Sequence, residues 1–196
     1  MTPVKRLFLL RHGPTGAGDR YIGATDLPLS DDGAADLADT AAFLRRQDID
    51  AVYCSPMRRC RQTLDLLGLG CRTEIVDDLR EVDFGRWEGL SFAGICERDQ
   101  ALVDQWAQGG ADFTFPGGEA MPDFLARVGR VRRMLATATA SRPLLVTHGG
   151  IIRHLLCLCL GIAPEKALLF SIRAGRCAIL DLHPAGGVLA GLNLRD

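Results

Sequence analysis

Leu7-Phe8-Leu9-Leu10-Arg11-His12-Gly13 is a short apolar run closed by a cation, an imidazole and a glycine, and Leu144-Leu145-Val146-Thr147-His148-Gly149-Gly150 repeats the arrangement far along the chain. Apolar runs of this length read as buried strands. Around them, short β-like runs alternate with amphipathic stretches of helical period. That alternation predicts an α/β fold, a three-layer α/β/α sandwich around a mostly parallel sheet. Ligands of open α/β sheets bind beyond the carboxyl ends of the strands, so both imidazoles are expected at one edge of the sheet. The glycine after each histidine lets the backbone approach a ligand and present its N–H groups.

The same reading predicts strands at Lys5 to Leu10, Ala51 to Cys54, Thr73 to Val76 and Pro143 to Thr147, with two or three more between Leu169 and Leu192. Helices are predicted from Asp31 to Arg46, Pro56 to Leu67, Asp99 to Gln108, Met121 to Thr137 and Ile151 to Leu160. Ser55 suits an N-cap and Pro56 the first helical position. Gly109 to Glu119, with Pro116-Gly117-Gly118, reads as a surface loop.

The 196 residues are 47% hydrophobic, enough for one sizeable core, and a single domain over 1–196 is expected. Lys and Arg (23) balance Asp and Glu (24), so no overall positive field favours a nucleic acid or an anionic membrane as partner. The apolar runs fall far short of the roughly 20 residues of a membrane helix. Met1 to Arg6 lacks the pattern of a secretory leader, and a cytoplasmic location is expected. Seven cysteines form an odd set without a Cys-x-x-Cys pair, and buried reduced thiols are the expectation. Self-association is left open.

Of four histidines, His154 and His183 lack the strand-end setting of the other two and read as structural or surface residues. Arg58, Arg59 and Arg61 crowd the first turns of a predicted helix, the end where the macrodipole disfavours cations unless an anion sits among them. At 100° per residue at most some of the three face one ligand; Arg58 and Arg61 share a flank and Arg59 stands apart. Several routes to phosphate chemistry fail. No Gly-Lys-Ser/Thr closes a phosphate loop, no cysteine lies six residues before an arginine, and Asp31-Asp32 and Asp77-Asp78 read as helix caps rather than metal ligands. What remains is a neutral imidazole, His12, attacking phosphorus while Arg11, Arg59 and His148 hold the oxygens. Glu81, Asp83 and Glu88 are candidates for the proton donor.

Leu10-Arg11-His12-Gly13-Pro14-Thr15 resembles the signature of the histidine phosphatase superfamily, the phosphoglycerate mutase-like branch. Ser55 to Thr63 resembles that family's second phosphate-binding segment and thereby selects Arg59. Leu79 to Gly89 resembles the segment carrying the proton donor, matched by Glu81, and Val146 to Gly150 matches the second histidine. The resemblance implies a metal-free, cofactor-free phosphomonoesterase with His12, Glu81, His148, Arg11 and Arg59 as catalytic groups. Thr15, Gly23 and Gly149 are expected beside the substrate. Gly18 stands where the family commonly has a phosphate-binding Asn; the Gly16 to Gly18 backbone or Arg20 is the expected substitute.

Short length, Tyr21-Ile22-Gly23, the Phe84 to Glu88 run and Pro116 to Glu119 resemble the compact phosphatases, particularly those acting on α-ribazole 5′-phosphate. Broad-specificity sugar or nucleotide phosphatases share these features. A mutase has the same fold but a different reaction, and a non-catalytic phosphate-binding module is a third class. Trp87 and Trp106 are expected in the core, with stacking on a substrate base as the alternative.

Overall fold

The computed structural model describes residues 5–195; the expectation about a leader falls partly on residues 1–4, which lie outside this range. One sheet has six strands: β1 (Lys5–Arg11), β2 (Ala51–Cys54), β3 (Arg72–Ile75), β4 (Pro143–Thr147), β5 (Cys177–His183) and β6 (Gly186–Leu194), in the order β3-β2-β4-β1-β5-β6. β3, β2, β4 and β1 pair in parallel, whereas β5 runs antiparallel to β1 and β6 antiparallel to β5. The sheet is therefore mixed, with a parallel portion carrying both histidine-ended strands and an antiparallel hairpin at one edge.

Alternate residues of each strand enter different cores, as a two-residue period requires. Leu7, Leu9 and Leu145 pack with Val128, Val131, Ile151 and Leu155, which belong to α5 (Met121–Thr137) and α6 (Gly149–Leu160). Phe8, Leu10, Leu144 and Val146 pack on the other face with Ala41, Leu44, Cys60 and Leu67 of α2 (Ala38–Arg45) and α3 (Arg58–Leu67). Helices thus cover both faces, and burying each large apolar side chain contributes about 1.5–3 kcal/mol.

Several boundaries differ from expectation. The helix predicted from Asp31 to Arg46 is divided into α1 (Asp31–Ala35) and α2 by a tightened turn in which Leu37 N–H reaches the Ala34 carbonyl at 3.3 Å. Arg176 holds Asp36 there, through the carboxylate at 2.8 Å and the carbonyl at 3.2 Å. α3 begins at Arg58, not Pro56, because Met57 is extended and Asp26 Oδ1 accepts the Arg58 N–H at 2.7 Å. α4 spans Phe92–Gly109, with Ser91 as its cap, and kinks at Asp99 (φ −140°, ψ 40°), whose Oδ2 accepts from Trp87 Nε1 at 2.8 Å and Arg86 Nε at 3.1 Å. The predicted surface loop after it is anchored inward: Phe113 and Phe115 are buried, and a single bridge joins Thr114 to Ala120. All seven cysteines are free, five of them buried. No described helix is long and apolar enough to cross a membrane.

Candidate functional site

The parallel register of β1 with β4 sets Arg11 opposite Thr147, so the next residue of each strand, His12 and His148, leaves the same edge of the sheet. Their rings meet edge to face with centroids 5.1 Å apart. The loop after β1 is fixed from three sides: His12 N–H to the Thr147 carbonyl at 2.9 Å, Gly13 N–H to Thr63 Oγ1 of α3 at 3.0 Å, and Gly175 N–H to the His12 carbonyl at 2.9 Å.

His12 Nδ1 lies 2.7 Å from the carbonyl of Gly13. A carbonyl only accepts, so Nδ1 carries the hydrogen and, in the neutral ring, Nε2 is a bare lone pair. Burial first, and then the cations Arg11 and Arg59, push the His12 pKa down to about 3. The imidazole is accordingly neutral at physiological pH.

His148 is the N-cap of α6 and has no exposure to solvent. Arg59 Nε donates to its Nδ1 at 3.3 Å, so Nε2 bears the hydrogen and donates to Ser55 Oγ at 2.9 Å, with Cys60 Sγ at 3.4 Å. Burial, with His12 and Arg59 nearby, holds the His148 pKa well below that of free imidazole. Arg59 is fully buried and its fork is committed: Nη1 donates to the Thr25 carbonyl and Nη2 to the Gly23 carbonyl, both at 2.8 Å. Of the three arginines at this helix start it alone points inward; Arg58 and Arg61 are exposed.

In front of His12 opens a cavity of about 570 Å³ lined by Arg11, His12, Thr15, Glu81, Gly149 and Gly150 at its polar end. Tyr21, Phe84, Trp106 and Phe115 give it an aromatic wall, and the exposed Phe92 and Leu168 its rim. Glu81 Oε2 accepts the Gly150 N–H at the start of α6 at 2.9 Å, and Oε1 accepts the Val82 N–H at 3.1 Å. A side chain on Gly150 would strike that carboxylate at 2.3 Å, which explains the second glycine of the motif. Arg11 Nη1 donates to the Ile172 carbonyl at 2.7 Å, while its buried Nε has no hydrogen-bond partner. Burial lowers the Arg11 pKa. Among the described residues no group of three or more His, Cys, Asp or Glu side chains gathers as a metal site.

The histidine phosphatase superfamily (branch 1) model matches residues 7–195. The chain belongs to this superfamily. A bifunctional protein of Mycobacterium tuberculosis is 40% identical over 161 residues, covering 79% of this chain and 44% of that one, so the chain spans less than half the length of that relative. An adenosylcobalamin/alpha-ribazole phosphatase of Salmonella typhimurium is 28% identical over 97% of this chain and 96% of its own length. The crystal structure of the alpha-ribazole phosphatase from Shigella flexneri superposes with a TM-score of 0.86 at 26% identity, over 97% of this chain and 96% of that one.

In this member of the superfamily the structure brings His12, Arg11, Glu81, Thr15 and Gly149 to the cavity. Arg59 and His148 instead pack behind His12, neither of them among the cavity-lining residues. Gly23, expected beside the substrate, does not line the cavity: it is pressed on Val82, whose carbonyl a Cβ would meet at 1.8 Å, and its own carbonyl holds Arg59. Glu88 caps the backbone N–H groups of Gly23, Ala24 and Thr25, and Asp83 binds the Gly85 N–H, which leaves Glu81 as the carboxylate of the three that faces the cavity. Trp87 is a core residue, whereas Trp106 belongs to the wall. His154, read as structural or surface, also lines the cavity; its Nδ1 bonds the Gly150 carbonyl at 2.8 Å. Ser55, partner of His148, was readable only as a cap, and Arg153 of the wall went unnoticed inside an apolar helix.

Proposed function

We propose that this protein is a phosphomonoesterase working through a phosphohistidine. In the first step His12 Nε2 bonds to phosphorus as the ester P–O bond breaks, and Glu81, entering protonated, gives its proton to the departing alcohol oxygen. In the second, water attacks phosphorus, the N–P bond breaks, and Glu81 takes the water's proton, releasing inorganic phosphate and restoring neutral His12. Arg11 and the N-terminus of α6 at Gly149 stabilise the phosphoryl charge from the cavity. Arg59 adds positive potential from behind His12 and, with burial, keeps its ring uncharged, while the neutral His148 packs edge to face against that ring.

The observation that carries this reading is the bare Nε2 of a buried neutral His12, held at the guanidinium-lined end of a cavity where the Glu81 carboxylate also stands. Its aromatic wall and volume suit a phosphorylated metabolite with a flat, largely apolar alcohol, and relatives named alpha-ribazole phosphatases support α-ribazole 5′-phosphate as the substrate. Incubation with a radiolabelled phosphomonoester should leave an acid-labile, base-stable label on the protein that His12→Ala does not acquire. Phosphate release from a panel containing α-ribazole 5′-phosphate, sugar phosphates and phosphoserine should need no bisphosphoglycerate primer. Turnover without any labelled protein would refute the covalent route, and preference for phosphoserine would refute the proposed substrate.

A further inference from the structure

An Asn that commonly contributes to phosphate binding in the family is replaced by Gly18, and the substitutes expected from the sequence are the Gly16 to Gly18 backbone or Arg20. Gly16 and Gly18 both adopt positive φ (73° and 65°), and Gly18 brings only uncharged backbone groups to the cavity. Arg20 lines the cavity from an exposed position, with its Nη1 donating to the Gly89 carbonyl at 2.7 Å. Because Arg59 is buried behind His12 with its fork on two carbonyls, Arg11 is the one of the two expected catalytic arginines that lines the cavity.

A second guanidinium stands beside Arg11. Arg153, one turn into α6, lines the cavity half-buried, and its Nε is fixed on the Phe170 carbonyl at 2.9 Å. A methyl group placed on Gly149 would lie 3.3 Å from Arg153 Nη1 and 3.6 Å from Arg11 Nε, the latter being the buried donor without a partner. Among the described residues no ion pair holds Arg153 in that position. Two cations converging on one glycine at a helix N-terminus repel each other and the macrodipole alike, and a shared anion removes both penalties.

We infer that Arg153 is a phosphate-binding residue, gripping the phosphoryl group of the substrate jointly with Arg11 in place of the donor absent at position 18. The inference rests on the phosphatase reading, since the anion it binds is the one His12 attacks. A planar fork anchored by Nε keeps Nη1 and Nη2 for the ligand, which a lysine at this position would not reproduce.

Calorimetric titration with inorganic phosphate tests this without requiring turnover. Arg153→Gln should weaken phosphate binding about tenfold or more, the usual cost of one charge-assisted hydrogen bond, and Arg153→Lys should recover part of it. Arg20→Gln should bind phosphate as the wild type does. Thermal melting of each variant separates lost anchoring at Phe170 from lost binding, because a purely structural Arg153 would lower the melting temperature while leaving the affinity of the folded protein unchanged. Wild-type affinity in folded Arg153→Gln, or weakening in Arg20→Gln alone, overturns the inference. If the wild type bound phosphate and responded to the Arg153 substitutions but hydrolysed no phosphomonoester, the phosphatase reading would fail while the phosphate-binding role of Arg153 stood.

Discussion

The loops that follow β1 and β4 carry the same pattern, an apolar strand and then a histidine and a glycine, yet their imidazoles are wired in opposite ways. His12 spends its single hydrogen on the neighbouring Gly13 carbonyl and keeps Nε2 bare toward the cavity. His148 has both nitrogens engaged, one by Arg59 and one by Ser55, and is sealed from solvent. Sequence context places a ring at a sheet edge. What the ring can do there is decided by which neighbours take its two nitrogens: Gly13 for His12, and Arg59 of α3 with Ser55 just after β2 for His148.

The strongest attack on this comparison is to remove each ring in turn. His12→Asn should lower kcat by on the order of 10⁴-fold or more, because no other group can accept the phosphoryl. His148→Asn should cost less, on the order of 10²–10³-fold, as loss of one stabilising group does. Equal losses would mean that the two rings act as one unit. A finer probe is Ser55→Ala, which frees His148 Nε2 while leaving the ring in place; kcat/KM should fall about tenfold with the His148→Asn background insensitive to it.

The smallest effect concerns stability. Both rings are depressed in pKa when folded, His12 to about 3, whereas in the unfolded chain they take a proton near the ordinary value of 6.5. Between those values the unfolded chain holds more protons, so stability is complete above about pH 6.5 and is lost as pH falls toward 3, by up to about 1.4 kcal/mol per pH unit for each ring. Urea denaturation at a series of pH values should show a shallower acid slope in His12→Asn than in the wild type. An unchanged slope would mean that His12 is not buried neutral.

The strands with histidine ends were legible because apolar runs of strand length and glycines that follow a functional side chain are local signals. Arg59 was legible in part: cations at a helix start are anomalous and the spacing sets it apart from Arg58 and Arg61, but the resemblance of Ser55 to Thr63 was needed to select it. Much else depended on long-range partners. The interruption at Asp36 and Leu37 is drawn by Arg176, far along the chain. Ser55 looked like a cap because serine before proline usually is one, and its true partner, His148, is visible only once β2 and β4 lie side by side. Phe113 and Phe115 sit amid glycines and a proline, with no helical or strand period to mark them as buried. Arg153 and His154 were hidden by the apolar residues of α6 that surround them.

Both halves of α4 reach the cavity, Phe92 at its rim before the kink at Asp99 and a longer stretch of wall after it. The half beyond the kink contributes Val103, Trp106 and Ala107 to the cavity wall, whereas His12, Arg59, Glu81 and His148 stand on other segments. Inherited change in this half-helix can therefore retune which alcohol is accepted while the chemistry of bond cleavage is passed on untouched. One scaffold can supply a lineage of catalysts that differ in diet and share a single reaction.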